Sequence, residues 1–247
     1  SLRLVAAGSL LPATLAGTGP DVCLSRSSSD AVNYALRGAV VNLNDAELFP
    51  DKDQVFAQFK EAALTPLRFR SGIYGLPETQ EFMMMFYRTD ILEELNLQVP
   101  ETWDDVYKIL PVLQNKNMNF GMPVPVLGAT GASLSVYATL LYQRGGQLYN
   151  MNEEYPNDGL SAALDTDEAL DAFKMWTTLF TVHKLPNSYD FATRFRSGEV
   201  PIALAGLSGF NLLSVYAPEI DGLWSFTLVP GTVREDGTVD HTVATGV

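Results

Sequence analysis

The nearest approach to a serine nucleophile in the chain is Gly206-Leu207-Ser208-Gly209-Phe210. A Gly-x-Ser-x-Gly turn between a strand and a helix exposes the serine hydroxyl for attack, but here phenylalanine stands where the last glycine is needed. Only two histidines, His183 and His241, are available as a base. A serine hydrolase is therefore not expected. Glycoside hydrolysis asks for two carboxylates about 5–10 Å apart across a sugar, and the 29 acidic residues offer many pairs that spacing alone does not bring together. Glu78 is singled out because it follows a strand end where a cleft can open. Its two readings are a general acid or base and a hydrogen-bond acceptor for a ligand or hinge. Gly17-Thr18-Gly19 begins like a dinucleotide fingerprint but runs into Pro20-Asp21-Val22, a strand-like stretch, where the fingerprint requires a helix. A plain turn is expected there. With one cysteine, Cys23, and no Cys/His spacing of a zinc site, neither a metal nor any other cofactor is expected.

The elements that must position these residues belong to a globular chain. Hydrophobic residues make up 47% and charged residues 18% of 247, enough apolar surface to offset the ordering of the chain. The net charge of −13 repels nucleic acid and anionic membrane surfaces, so neither is expected as a partner. The longest strongly apolar run, Phe82 to Tyr87, is far shorter than the ~20 residues of a membrane helix. Cys23 lies in the run Val22-Cys23-Leu24 and is expected to be a small buried hydrophobe. Residues 1–5 resemble a strand interior more than a native beginning, so sequence upstream of Ser1 is expected.

Apolar runs over 2–6 and 21–25 read as strands, and 30–36 as a helix capped by Ser29 or Asp30 and stopped at Gly38. Residues 67–70 and 73–76 flank Ser71-Gly72 as a tight hairpin, with Pro77 ending its second strand. Residues 82–87 read as a strand covered on both faces. A helix is expected from Asp90, and another from Thr102, boxed by Asp105. Further expected elements are a strand over 119–122, a helix over 132–143 ended by Gly145-Gly146, and a helix over 189–196. A strand over 200–205, a helix over 208–216 and a strand over 224–229 complete the pattern. Asp165-Thr166-Asp167-Glu168 reads as a capping box before an amphipathic helix whose buried stripe includes Leu170, Phe173, Trp176 and Leu179. Alternating strands and helices imply an α/β fold with at least partly parallel sheets. The chain is expected to cross between lobes near residues 78–81.

Several local patterns follow one another in a fixed order: Gly19-Pro20-Asp21-Val22, Tyr34-Ala35-Leu36-Arg37-Gly38, Ile73-Tyr74-Gly75-Leu76-Pro77, Phe86-Tyr87-Arg88-Thr89-Asp90-Ile91-Leu92, Val99-Pro100-Glu101-Thr102-Trp103-Asp104-Asp105, Phe195-Arg196-Ser197-Gly198-Glu199 and Leu228-Val229-Pro230-Gly231. In number, order and spacing they resemble the extracellular solute-binding family of ABC importers, the maltose-binding-protein-like carbohydrate type. The resemblance covers nearly the whole chain and departs from the family at both ends. It implies a periplasmic-binding-protein-like fold of two α/β lobes with a ligand cleft between them. Residues 1–80 would form a partial first lobe, 81–239 the second, and 240–247 a return hinge segment. It further implies a non-catalytic, monomeric receptor outside the cytoplasm, lipid-anchored in its longer form, that hands a carbohydrate-like ligand to an ABC permease.

Ligand contacts implied by the same resemblance are Arg26 and Ser27 after the second strand, Glu78, Thr79 and Gln80 at the crossing, and Thr130 and Ser133 before a helix. Phe210 would be a stacking aromatic with Asn211 beside it. The residues themselves leave Phe210 open between ring platform and ordinary core, since aromatics dominate both. Trp103, Trp176, Trp224 and Met83-Met84-Met85 read as core. A carbohydrate-active enzyme using Glu78, or a sensing module of a longer surface protein, would use the same fold.

Overall fold

The structure is a computed structural model and describes residues 7–24, 26–79, 81–123, 132–150, 161–187 and 190–244, with residues 132–134 described by backbone alone. The chain divides into two compact units, one formed mainly by residues 1–80 and the other by 81–150 with 160–246. The expected strand over 2–6 lies outside the described residues.

In the first unit a 3-10 turn leads into α1 (Leu10–Leu15), which ends where Thr18 N–H reaches back to the Ala13 carbonyl at 2.9 Å through Gly17 at φ 72°. Gly17-Thr18-Gly19 is thus a helix exit. No strand forms over 21–24, and Cys23 is exposed, with Val22 and Leu24 75% and 63% accessible. The expectation of a buried cysteine fails because an apolar run is buried only where other elements cover it. Next, α2 (Ser28–Leu36) is capped by Ser27, whose hydroxyl accepts from Asp30 N–H at 3.2 Å, two to three residues earlier than expected. Short helices α3 (Lys52–Phe56) and α4 (Glu61–Leu64) follow, then the antiparallel pair β1 (Arg68–Phe69) and β2 (Gly72–Ile73). The hairpin loop is Arg70-Ser71, one residue ahead of the expected pair, with Arg70 at φ 52°. Leu64, Leu67 and Ile73 are buried here.

The second unit is built on a four-stranded sheet. After β3 (Met83–Arg88) come α5 (Thr89–Glu94) and α6 (Trp103–Gln114), the latter entered through a capping box between Thr102 and Asp105 as its sequence requires. Then follow β4 (Phe120–Gly121), α7 (Ala132–Tyr142), the pair β5 (Tyr149–Asn150) and β6 (Ser161–Ala162), α8 (Asp167–Thr181), α9 (Phe191–Arg196) and β7 (Ile202–Gly206). The chain closes with α10 (Gly209–Tyr216), β8 (Trp224–Thr227) and a small hairpin of β9 (Thr232–Val233) and β10 (Val239–Asp240).

The sheet order is β4-β7-β3-β8; β4 and β7 run parallel, and β3 is antiparallel to both of its neighbours. Alternation along β3 sends Met85 to a large core with Trp103, Leu110, Phe120 and Leu140, and Phe86 to a second core with Phe195, Ala203 and Leu213. The apolar run 82–87 therefore serves two cores, one on each face.

On α8 the cap is Thr166, which accepts from Ala169 N–H, so alanine occupies the third helical position and the expected box with Glu168 does not form. The buried stripe is Ala169, Ala172, Met175 and Leu179, whereas Leu170 and Phe173 are about half exposed at 49% and 50%. Ala169, Ala172, Met175 and Leu179 join one buried cluster with Val136, Leu140 and Leu141 of α7, whereas Phe173 meets α7 edge-on through Tyr137. Trp176 is half-buried and packs on Tyr137 and Phe173.

Candidate functional site

The most developed candidate surface lies where β7 turns into α10. At the end of β7, Leu207 N–H donates to the Phe82 carbonyl at 2.8 Å, which ties the turn to the entrance of β3. Glu81, exposed at that entrance, accepts through Oε1 from Ser208 N–H at 2.9 Å and from Ser208 Oγ at 3.1 Å. A side chain on Gly206 would collide with the Glu81 carboxylate, so glycine there makes the room. A carboxylate at the amino end of a helix is also favoured by the partial positive charge of its free N–H groups.

Gly209 opens α10 with no room for a side chain: a Cβ would stand 2.9 Å from Phe191 and 3.2 Å from Phe86. The next residue, Phe210, therefore lies over the edge of an aromatic cluster. Its ring meets Trp224 at 5.6 Å and Phe226 at 6.0 Å, both edge-on. Beneath them Phe86, fully buried, touches Trp224, Phe226 and Phe191 at 5.9, 5.6 and 5.1 Å. Phe210 itself is 44% exposed and Phe226 37%. The core rings hold a partly solvated aromatic surface in place, flanked by the Glu81 carboxylate, the Ser208 hydroxyl and the exposed Asn211 amide. Such a surface can cover the apolar face of a sugar ring while the polar groups take hydroxyls.

The structure brings together only some of the residues expected from the sequence. Phe210 and Asn211 share α10. In the first unit, Arg26 pairs with Asp30 and Ser27 caps α2, so both are engaged with their own helix. Glu78 and Thr79 are exposed at the end of that unit. Ser133 lies in the first turn of α7, and Gln80 and Thr130 fall outside the described residues. Glu81, Ser208, Trp224 and Phe226 were missed. The spacing of Trp224 and Phe226 was a usable signal, because residues two apart on a strand share a face. Glu81 had only its place ahead of an apolar run.

A second concavity lies elsewhere in the same unit, an open groove of about 970 Å³ between Gln143, Arg144 and the β9–β10 hairpin. Beside it is a smaller pocket of about 250 Å³ that reaches Trp103 and Tyr107. Among the described residues no cluster of three or more His, Cys, Asp or Glu is placed to hold a metal, and no helix is long and apolar enough to cross a membrane.

Fold and comparisons define a periplasmic-binding-protein-like protein. The chain aligns with an ABC transporter solute-binding protein from Thermotoga lettingae bound with alpha-D-tagatose, at 23% identity and a TM-score of 0.71, over 96% of this chain and 59% of that one. It aligns with a cyclic alpha-maltosyl-1,6-maltose binding protein from Arthrobacter globiformis at 19% and 0.74, over 97% and 57%. The sugar-binding protein MalE from Xanthomonas citri gives 17% and 0.70, over 97% and 59%. The chain thus spans a little under three-fifths of the length of these structures, and at such identities the likeness shows the fold. No curated protein sequence matches it. The model of the bacterial extracellular solute-binding protein family matches residues 3–242, and the chain belongs to that family.

Proposed function

We propose that the chain is the greater part of an extracytoplasmic receptor that binds a sugar or short oligosaccharide without reacting with it and delivers it to an ABC import permease. In this reading residues 1–80 belong to one lobe, 81–239 to the other and 240–247 to a return hinge, and closure on the ligand creates the shape the permease recognises. The observation that carries the reading is the partly exposed platform of Phe210, Trp224 and Phe226 beside Glu81, Ser208 and Asn211, in a member of a solute-binding family. Neighbours of the same fold include proteins bound with alpha-D-tagatose and with beta-1,6-galactobiose and a cyclic alpha-maltosyl-1,6-maltose binding protein, which supports a carbohydrate as the ligand.

The test is a thermal-shift and calorimetric screen of the purified protein against monosaccharides and oligosaccharides, with chromatography of each sugar afterwards. A true ligand raises the midpoint saturably, by RT ln(1+[L]/Kd) in free energy, and is recovered unchanged. Phe210→Ala should weaken it about tenfold, the worth of one ring contact. Sugar cleavage, or sugar binding that is indifferent to Phe210, overturns the proposal.

A further inference from the structure

Six arginines among the described residues are buried or half-buried: Arg26, Arg68, Arg88, Arg144, Arg194 and Arg234. Five of them pair with a carboxylate, on Asp30, Glu61, Asp90, Glu199 and Asp240 respectively. Arg144, just past the end of α7, has no carboxylate within ion-pair distance among the described residues. Its Nη1 donates to the Leu140 carbonyl at 3.0 Å and to Thr232 Oγ1 at 3.4 Å, and its Nη2 meets Met175 Sδ at 2.8 Å. All three acceptors are neutral, and a thioether is a weak one. Nε has no partner among the described residues, so part of the guanidinium fork is unused.

This fork lines the 250 Å³ pocket together with Trp103, Asp104, Tyr107, Met175 and Thr232. The pocket opens at the amino end of α6, whose dipole adds positive potential there. Burial pulls the Arg144 pKa down, against the attraction of Tyr107, Asp171 and Asp104; a group with a normal value so far above neutrality keeps its charge. A half-buried cation with unused donors, at the wall of a small and partly apolar pocket, can receive a planar anion.

We propose that this pocket binds the carboxylate of a small monocarboxylic acid on the Arg144 guanidinium, with the acid's apolar part against Tyr107 and Met175. The Asp104 carboxylate at the same wall disfavours a second negative charge, so dicarboxylates bind more weakly. This site uses α6, the segment just after α7, α8 and β9 and shares no residue with the Phe210 face, so it stands whether or not a sugar binds there.

The test is NMR of the ¹⁵N-labelled protein, following arginine Nε–H resonances during titration with acetate, succinate and chloride at constant ionic strength. Acetate should shift one resonance saturably, succinate should be several-fold weaker and chloride should do nothing; the shifted resonance should be the one missing from Arg144→Lys. A non-saturating drift, an equal response to chloride, or a saturating shift at another arginine overturns the proposal. Should Arg144→Lys fail to fold, Asp104→Asn at an exposed position decides: it should tighten acetate and succinate, and unchanged affinities overturn the proposal.

Discussion

Replacing Gln143 with leucine tests whether one buried amide joins three segments of the second unit. Gln143 is fully buried. Its Oε1 accepts from Trp103 Nε1 at 2.9 Å and Thr232 Oγ1 at 3.1 Å, and its Nε2 donates to the Pro230 and Thr242 carbonyls at 3.1 and 3.2 Å. Leucine nearly conserves volume but leaves all four groups without this partner. Thr232 and Thr242 line the open groove and regain water, whereas Trp103 and Pro230 are buried and do not. Two stranded buried groups at ~1–3 kcal/mol each give a loss of about 4 kcal/mol. In a chain of this length that lowers the thermal midpoint by roughly 8–16 °C. Urea denaturation followed by circular dichroism, with the slope m unchanged, measures the loss directly. Gln143→Glu sharpens the test: its carboxylate would face two carbonyls, so its folded pKa rises above the unfolded value near ~4.3 and its stability must fall as pH rises through that window. A loss below about 1 kcal/mol for leucine, or a glutamate variant insensitive to pH, refutes the argument.

Phe210→Ala separates platform from core: at 44% exposure it should cost only about 1 kcal/mol of stability, and a loss of ~3–5 kcal/mol by chemical denaturation would make Phe210 an ordinary core residue. Gly209→Ala places a methyl 2.9 Å from Phe191 and should cost about 1–3 kcal/mol, with an altered Trp224 fluorescence as the rings shift. Asp90→Asn removes the carboxylate that receives the buried Arg88 guanidinium at 2.6 and 2.8 Å while the Phe195 and Arg196 carbonyls remain. About 2 kcal/mol is expected by urea titration, below the ~3–5 of a fully buried pair because Asp90 is 32% exposed. Arg88 holds Asp90 below its ordinary pKa chiefly by hydrogen bonding, and Lys108 and then Thr102 hold Asp105 at about 2. Lowered carboxylate values mean that stability is complete above the unfolded pKa of ~3.9 and is lost as pH falls through the folded values. Asp105, whose side chain is 37% accessible, contributes under ~1 kcal/mol of this. Thermal midpoints measured from pH 5 to 2 should decline, and less steeply in Asp90→Asn.

Local signals were legible where one short stretch carries the whole physical cause. Thr102 and Asp105 satisfy each other's orphan donors within four residues, and that box formed. Gly145 at φ 81° ends the turn after α7 as a glycine should. The apolar run 82–87 became a strand between two neighbours because its residues on both faces need cover. The ordered series of motifs identified the family, because many weak patterns at fixed spacings are jointly specific.

What the tertiary structure alone decided is which side of each element is covered. Leu170 and Phe173 fit a helical stripe as well as Met175 does, and the side of α8 that joins the core cluster with α7 chose between them. Cys23 sits in an apolar run, yet it is exposed. The same holds at the site. Glu81 and Ser208 are 127 residues apart and share a hydrogen bond only because β3 and β7 are neighbours in the sheet. Hydrophobic pattern records how much surface wants cover, whereas the partner that covers it is set by contacts between segments distant in the chain.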